Sequence, residues 1–413
     1  MKQALDRLIF CLTETSADKL TSTLKNICKS DWPALLEQAR IHGVAPILFH
    51  HLKTIKLISI LPEEIQARLK NFYHQNTIRN LLIFKELSVI LQKLHQANIP
   101  VILLKGSHLI ATTYRNLSLR FLNDVDIMVP KPDLEETHQI LVKAGYFPKD
   151  EFEPEIHCKT EHHLPRHIKP GILGIEVHWT IEKPNSPFPI DIDGLWQRTV
   201  AIQFQNIHAL GLSLEDLLPQ LCIHICYHHH FQIGLKALYD IALLLKVHET
   251  EINWQKVENR IRDWKMVNCV QATMNFVQEL FQPNLPDFFR KKIHTEMTDS
   301  EAYKIAKKYF FEYTGPKPGK FSPQYLSNSK NTFFETFKIT FRRIFPNRRE
   351  LAEKFGIQPS FVNVFFFYSG RLIKLLLRYG IRMENFTAKE SDFLNRARNE
   401  NNKFRLKKWL AEA

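Results

Sequence analysis

The spacing of apolar residues changes twice along the chain. Over residues 1–99 they recur every three to four positions, which predicts helices. "DWPALLEQARIHGVAPILFHHL" opens with Asp31 as an N-cap and carries Pro33 in the first turn, where helix starts accept proline. "LPEEIQARLKNFYHQNTIRNLLIFKELSVILQKLHQANI" keeps a helical period for about ten turns and predicts one long helix or two. The spacing shortens at Pro100. "PVILLKG" reads as a short buried strand bounded by Pro100 and Gly106, and "SHLIATTYRNL" as a helix with Ser107 as N-cap. "FLNDVDIMVP" alternates apolar and polar residues, as a half-buried strand does. "KPDLEETHQILVKAGY" is an amphipathic helix stopped by Gly145, and "LGIEVHWTI" is another alternating strand.

Strand–helix–strand–helix–strand in so short a span predicts an α/β core inside an α+β chain: a small mixed sheet with flanking helical segments. From Ser213 the helical spacing returns. "SLEDLLPQLCIHICYHHH" starts at Ser213 with Asp216 three residues on, a capping-box-like opening. "GPKPGKFSPQYLSNSKN" is rich in Gly, Pro and Ser and reads as a linker. The expected organisation is a helical region 1–94, a core 95–205, a helical region 206–314 walling the core, a linker 315–331 and a basic helical region 332–413.

Composition narrows the class. The 413 residues suffice for two or three domains or one large one. No apolar run approaches the length of a membrane span, so no transmembrane segment is expected. The N-terminus lacks the apolar stretch and cleavage site of a secretory signal, and the six cysteines form no framework, which points to a reducing cytoplasm. The net charge of +13 is uneven: from residue 331 onward there are about 17 Lys/Arg against about 8 Asp/Glu. That excess suits either a solvated helical surface or an anionic partner. "FVNVFFFYSGRLIKLLLRYG" in the same region reads as a helix packed on a core in preference to a membrane-surface helix.

The candidate chemistry lies in the alternating strands. Asp124 and Asp126 are two apart, so a strand projects both from one face, roughly 6–7 Å apart. Glu176 sits on the other alternating strand. If the strands are neighbours, three carboxylates meet, repel one another and need cations. Two Mg²⁺ ions, with Mn²⁺ as a substitute, would suit such a cluster. Gly106 and Ser107 lie where a strand turns into a helix, a setting that exposes backbone N–H groups to phosphate. A second Asp-x-Asp, Asp191 and Asp193, follows prolines with no Gly-Ser turn upstream, and reads as a loop with a helix cap.

The series "LLKGSHL", "RFLNDVDIMV" and "IEVHW" resembles the polymerase-beta-like nucleotidyltransferase superfamily, and more narrowly the bacterial nucleotidyltransferase-like family of undefined substrate. The matching residues are Lys105 and Gly106, Arg120, Asp124 with Asp126, the strand Glu176, Val177, His178 and Trp179, the histidine-rich stretch 224–230, and "LYDIALLL" around Asp240. The sequence departs from the family pattern in having Val177 where leucine is commoner. The resemblance implies that Gly106 and Ser107 hold a nucleoside triphosphate, with Lys105 and Arg120 as further phosphate contacts; the alternative for Lys105, which ends a strand and so can face either way, is a salt bridge. It implies that Asp124, Asp126 and Glu176 ligate the metals, and that Glu176 also helps deprotonate an acceptor.

His178, His224, Lys236 and Asp240 are further candidates for the cleft. His224 and His228 share a helix face, and His178 shares a strand face with Glu176. Lys236 and Asp240 are four apart, so an ordinary ion pair between them is the plainer reading. Cys222, Cys226 and His229 or His230 invite a zinc reading, but zinc sites usually draw ligands from more than one element. The expected activity is transfer of an NMP from an NTP to an unidentified hydroxyl-bearing acceptor. One alternative is an inactive protein of the same fold that senses a nucleotide or binds a partner. A nucleic-acid-binding module is not the expected reading, because no helix-turn-helix, zinc finger or RNP motif is present.

Overall fold

The computed structural model describes residues 2–150, 154–287, 289–290, 300–315, 399 and 401–412. One compact unit comprises Met1–Pro316 with Leu406–Ala413, and a second comprises Lys317–Arg405. The expected linker beyond Gly315, and the amphipathic stretch at 361–380, lie outside the described residues.

Within the first unit the described strands form one mixed sheet: β1 (Ile102–Leu103), β2 (Val125–Met128), β3 (Phe147–Pro148), β4 (His167–Lys169), β5 (Ile172–His178), β6 (Val200–Phe204) and β7 (Ile207–Gly211). Their order is β3-β4-β5-β2-β1-β7-β6. β2 runs parallel to β5 and antiparallel to β1, and β1 runs parallel to β7. The mixed sheet expected from the sequence is present, extended by four strands that were not expected.

The sheet divides two cores, and strand alternation decides which residue enters which. Leu103, Val125, Ile127, Ile175 and Val177 point to one face. There they meet Phe84, Leu87, Ile90, Leu91 and Leu94 of the long helix, with Leu134 and Leu141 of the helix Leu134–Lys143. Ile102, Leu104 and Met128 point the other way, into a larger core built from the N-terminal helices and the helices after Ser213. Leu406 and Leu410 also enter that core. Each such buried side chain contributes about 1.5–3 kcal/mol relative to exposure. Asp124, Asp126, Glu176 and His178 share the face of Met128, so the polar site lies on the side of the larger core.

The ambiguous run after Leu61 forms a single helix, Glu63–Gln96. Its middle is polar although buried. Asn76 Nδ2 donates to Ser118 O (2.8 Å), and Asn80 Nδ2 donates to Leu117 O (2.6 Å) and Arg120 O (2.8 Å). These bonds satisfy carbonyls of a segment that has no strand partner. They fix the approach of the chain to Asp124.

Three local expectations change. Ser107 is not an N-cap: the helix begins at Lys105, with Leu104 at the N-cap position and no side-chain cap, and Ser107 Oγ donates back to Leu104 O (2.9 Å). "DWPALLEQARIHGVAPILFHHL" contains two helices, Trp32–Ile41 and Ala45–Thr54, separated at Gly43, whose φ of +68° suits glycine. Asp31 stands at the first N-cap without a capping bond, because its carboxylate takes Arg7 Nη1 (2.6 Å). Ser213 caps as expected, accepting from Asp216 N, and Gly145 follows its helix at φ +87°. Asp191 is the helix cap read from the sequence, accepting from Gly194 N at 2.9 Å.

Candidate active site

The parallel register of β2 and β5 sets Asp126 directly beside Glu176, and Met128 beside His178. Neighbouring strands lie about 4.8 Å apart, so side chains paired on one face touch or nearly touch. Ligand atoms of Asp126, Glu176 and His178 all fall within 4.8 Å of one another. Asp124 joins them from one strand period away, linked through a residue that the sequence reading did not single out. Arg166 donates from Nε to Glu176 Oε1 (3.2 Å) and from Nη2 to Asp124 Oδ2.

Asp126 is the most enclosed of the acids, with its side chain 4% exposed. Its Oδ1 accepts from Lys105 Nζ (2.7 Å) and His178 Nε2 (3.0 Å). Burial alone would raise this carboxyl, but the Lys105 charge and the His178 hydrogen bond overcome it and hold Asp126 below the usual carboxylate range. Asp124 goes the other way. Burial, reinforced by repulsion from Asp126 and Glu176, raises it to about 6. Two carboxylates one strand period apart thus have opposite proton affinities, as a shared charged site requires. Burial lowers His178 to about 4 despite the hydrogen bond to Asp126, so the ring is neutral near pH 7.

The chemistry of the donors fits a hard divalent cation. Among the described residues, Asp124, Asp126 and Glu176 each engage one carboxylate oxygen and leave the other without a hydrogen bond. Lys105 and Arg166 provide internal positive charge in the meantime.

Gly106 follows directly on Lys105. A Cβ there would lie 2.2 Å from Arg120 Nη1 and 2.6 Å from Leu122 Cδ2, so only glycine lets Arg120 pass. Lys105 itself stands at φ +45°, a conformation costing a non-glycine residue about 1–3 kcal/mol. Ser107 is fully buried, with its hydroxyl on Leu104 O and Asp126 O (3.3 Å). Arg120 is buried as well. It donates from Nε (2.9 Å) and Nη2 (2.7 Å) to the two oxygens of Asp240, and Tyr114 OH donates to Asp240 Oδ1 (2.7 Å). Nη1 remains beside the Gly106 turn.

Asp240 lies on the helix Leu235–Val247, so this ion pair ties the helices after Ser213 to the turn. It also corrects the expected Lys236–Asp240 pair. Asp240 gives both oxygens to the planar fork of Arg120, while Lys236 Nζ donates to Phe121 O (2.7 Å). The histidine-rich stretch forms a π turn, His224–His228, facing the same side. His162 lies between His178 and His228, with ring centroids 5.3 and 5.5 Å away, and His228 Nε2 is bonded to the buried Glu182. His224 is partly buried, and its desolvation lowers its pKa well below the ordinary value. Cys222 and Cys226 are buried in the larger core. Arg166, Arg79, Tyr114 and Glu182 were not read from the sequence.

No curated protein matches the sequence. Two solved structures show limited likeness. One is the crystal structure of ANT(2'')-Ia in complex with adenylyl-2''-tobramycin, at 15% identity and TM-score 0.32, covering 46% of this chain and 97% of that one. The other is the solution structure of the antibiotic-resistance factor ANT(2'')-Ia, at 15% identity and TM-score 0.32, covering 49% and 99%. At that level neither bears on the substrate of this chain. A family described as uncharacterised nucleotidyltransferase matches residues 29–282. That span is more than half of the chain and takes in the Gly106 turn, the paired acidic strands and the helix of Asp240, so the chain belongs to this nucleotidyltransferase family.

Proposed function

We propose that the protein transfers an NMP from an NTP to a hydroxyl-bearing acceptor by a two-metal mechanism. The observation that carries this reading is the register of β2 and β5, which gathers three carboxylates on one face, each with an unengaged oxygen. Asp124, Asp126 and Glu176 would hold two Mg²⁺ ions, which would supply Lewis-acid stabilisation of the charge on the transferring phosphoryl group. The acceptor oxygen forms a bond to the α-phosphorus, the bond from that phosphorus to the bridging oxygen breaks, and its electron pair leaves with pyrophosphate. Glu176 takes the acceptor proton. Gly106 makes room for Arg120 at the turn, and Arg120 Nη1, which Asp240 leaves unengaged, would meet the phosphate. Because the Ser107 hydroxyl faces carbonyls, any contact of Ser107 with phosphate falls to its backbone N–H. His178 fixes Asp126, and Lys105 balances its charge until substrate arrives. Positioning and charge neutralisation are most of what such a reaction asks of a protein.

The ion pairs of Lys105 and Arg166 favour a second reading, in which the acids are neutralised internally and the protein only senses a nucleotide. The two differ in one experiment. The purified protein is incubated with each α-labelled NTP, Mg²⁺ and a small-molecule extract, with and without EDTA. Label moving to a new compound only with Mg²⁺ supports transfer. Saturable NTP binding without any labelled product supports sensing. No described helix is long and apolar enough to cross a membrane.

A further inference from the structure

Around the site, positive side chains divide into two kinds. Lys105, Arg120 and Arg166 each have a carboxylate partner. Arg79 and Lys236 have none among the described residues. Arg79 Nη1 donates to Leu122 O (2.6 Å), and Lys236 Nζ donates to Phe121 O (2.7 Å). Both cations lie against the ring of Phe121, 4.2 and 5.7 Å from its centroid, and that ring is 36% exposed. They come from separate elements, the long helix and the helix Leu235–Val247, and meet two to three residues before Asp124.

Holding them there is unfavourable without an anion. Burial and repulsion from Arg120 and Arg79 lower Lys236 to about 7 against the attraction of Asp240 and Asp124, and Asp124 attracts Arg79 as well. The position is nevertheless built. The Lys236 backbone N–H donates to His42 O (3.2 Å), and its stem runs past Gly43. A lysine ammonium carries three donors and a guanidinium five, and one of each is in use here. The helix start beneath Lys236 adds the positive end of its dipole.

We propose that Arg79 and Lys236 form the subsite for the pyrophosphate end of the nucleoside triphosphate, an inference that rests on the nucleotidyl-transfer reading. Their spare donors face a dianionic or more highly charged group, and that charge relieves the repulsion between them. Lys236 then stabilises the leaving pyrophosphate as the bridging oxygen gains negative charge. A phosphorylated acceptor would present similar chemistry, and competition separates the two sources.

The test is calorimetric titration of the full chain with inorganic pyrophosphate in EDTA, on wild type, Arg79→Met, Lys236→Met, Lys236→Arg and the distant surface variant Lys19→Met. Wild type and Lys19→Met bind, each of the first two variants loses at least about 10-fold, Lys236→Arg regains most of it, and a non-hydrolysable NTP analogue displaces pyrophosphate competitively. Absence of wild-type binding, wild-type affinity in both Arg79→Met and Lys236→Met, or pyrophosphate that the NTP analogue does not displace would overturn the proposal. Because substituting a partly buried residue can unfold the protein, NMR titration of Lys236 in wild type gives a second readout. Pyrophosphate should move its deprotonation to higher pH, and an unmoved titration also overturns the subsite. If these signatures hold while no NMP is transferred, the functional reading fails and the subsite stands. If NMP is transferred and pyrophosphate inhibits Arg79→Met and Lys236→Met as it does wild type, the subsite fails and the functional reading stands.

Discussion

Replacing Arg120 with methionine tests the strut between the Gly106 turn and the helix of Asp240. Methionine keeps most of the volume of the side chain and removes its charge. The Asp240 side chain is 3% exposed, so it would be left as a buried carboxylate with Tyr114 OH as its remaining hydrogen bond. Breaking a buried ion pair from one side costs about 3–5 kcal/mol, because the orphaned charge has no solvent. At about 2–4 °C per kcal/mol, the unfolding midpoint should fall by roughly 6–20 °C. Thermal melts followed by circular dichroism at pH 7 measure this directly. Arg120→Met/Asp240→Leu should recover a large part of the loss, since the uncompensated charge goes with its partner. Tyr114 then lacks an acceptor at a cost of about 1–3 kcal/mol, so recovery stays incomplete until Tyr114→Phe is added. A single variant within about 1 kcal/mol of wild type, or a double variant no better than the single, would refute the strut.

Gly106→Ala should destabilise by about 1–3 kcal/mol through overlap with Arg120 and Leu122, and by less in the Arg120→Met background. Equal losses in both backgrounds, measured by the same melts, would mean that Arg120 is not what the glycine accommodates. Asn80→Leu should cost about 2 kcal/mol or more, because it leaves carbonyls of Leu117 and Arg120 unpaired. A urea midpoint unchanged from wild type would contradict this. His42 Nδ1 accepts from Leu235 N–H (2.9 Å), so the folded ring is neutral, and burial lowers its pKa to about 4. The unfolded chain takes up that proton first, near pH 6.5, so the contribution of His42 is full above about 6.5 and is lost as pH falls to about 4. The melting midpoint should therefore drop across that window, and less steeply in His42→Asn. Parallel profiles would remove His42 from the account.

How much was legible in the sequence follows from how locally each feature is determined. Asp124, Asp126 and Glu176 stood out because half-buried strands alternate, and a charge on the buried phase of that alternation is conspicuous. The long helix and the Asp191 cap were legible for similar local reasons. Arg166 carries no periodic signature, and its segment reaches the acids through long-range pairing with β5, by β4 and by the Leu164 N–H bond to Val177 O. β3 is two residues long, and the β6–β7 hairpin turns at Gln205 with φ +52° instead of at a glycine, so neither gave a clear strand signal. Ser107 has the chemistry of an N-cap but lost the position to a helix that starts two residues earlier, with Lys105 held by Asp126. The Lys236–Asp240 pair was a sound local reading overridden by a partner from elsewhere in the fold, because a bidentate arginine outcompetes a lysine one turn away.

The central claim is that the acidic face of β2 and β5 performs metal-dependent transfer. Labelled NMP transfer and NTP affinity, measured side by side on wild type and Asp126→Asn in saturating Mg²⁺, test it most directly. The substitution is nearly isosteric and removes a negative charge from a crowded face, so the fold should persist. Turnover should fall by at least about 100-fold, on the order of 3 kcal/mol of transition-state stabilisation. Wild-type turnover in the variant, with wild type itself active, would contradict the assignment and make Asp126 a structural residue.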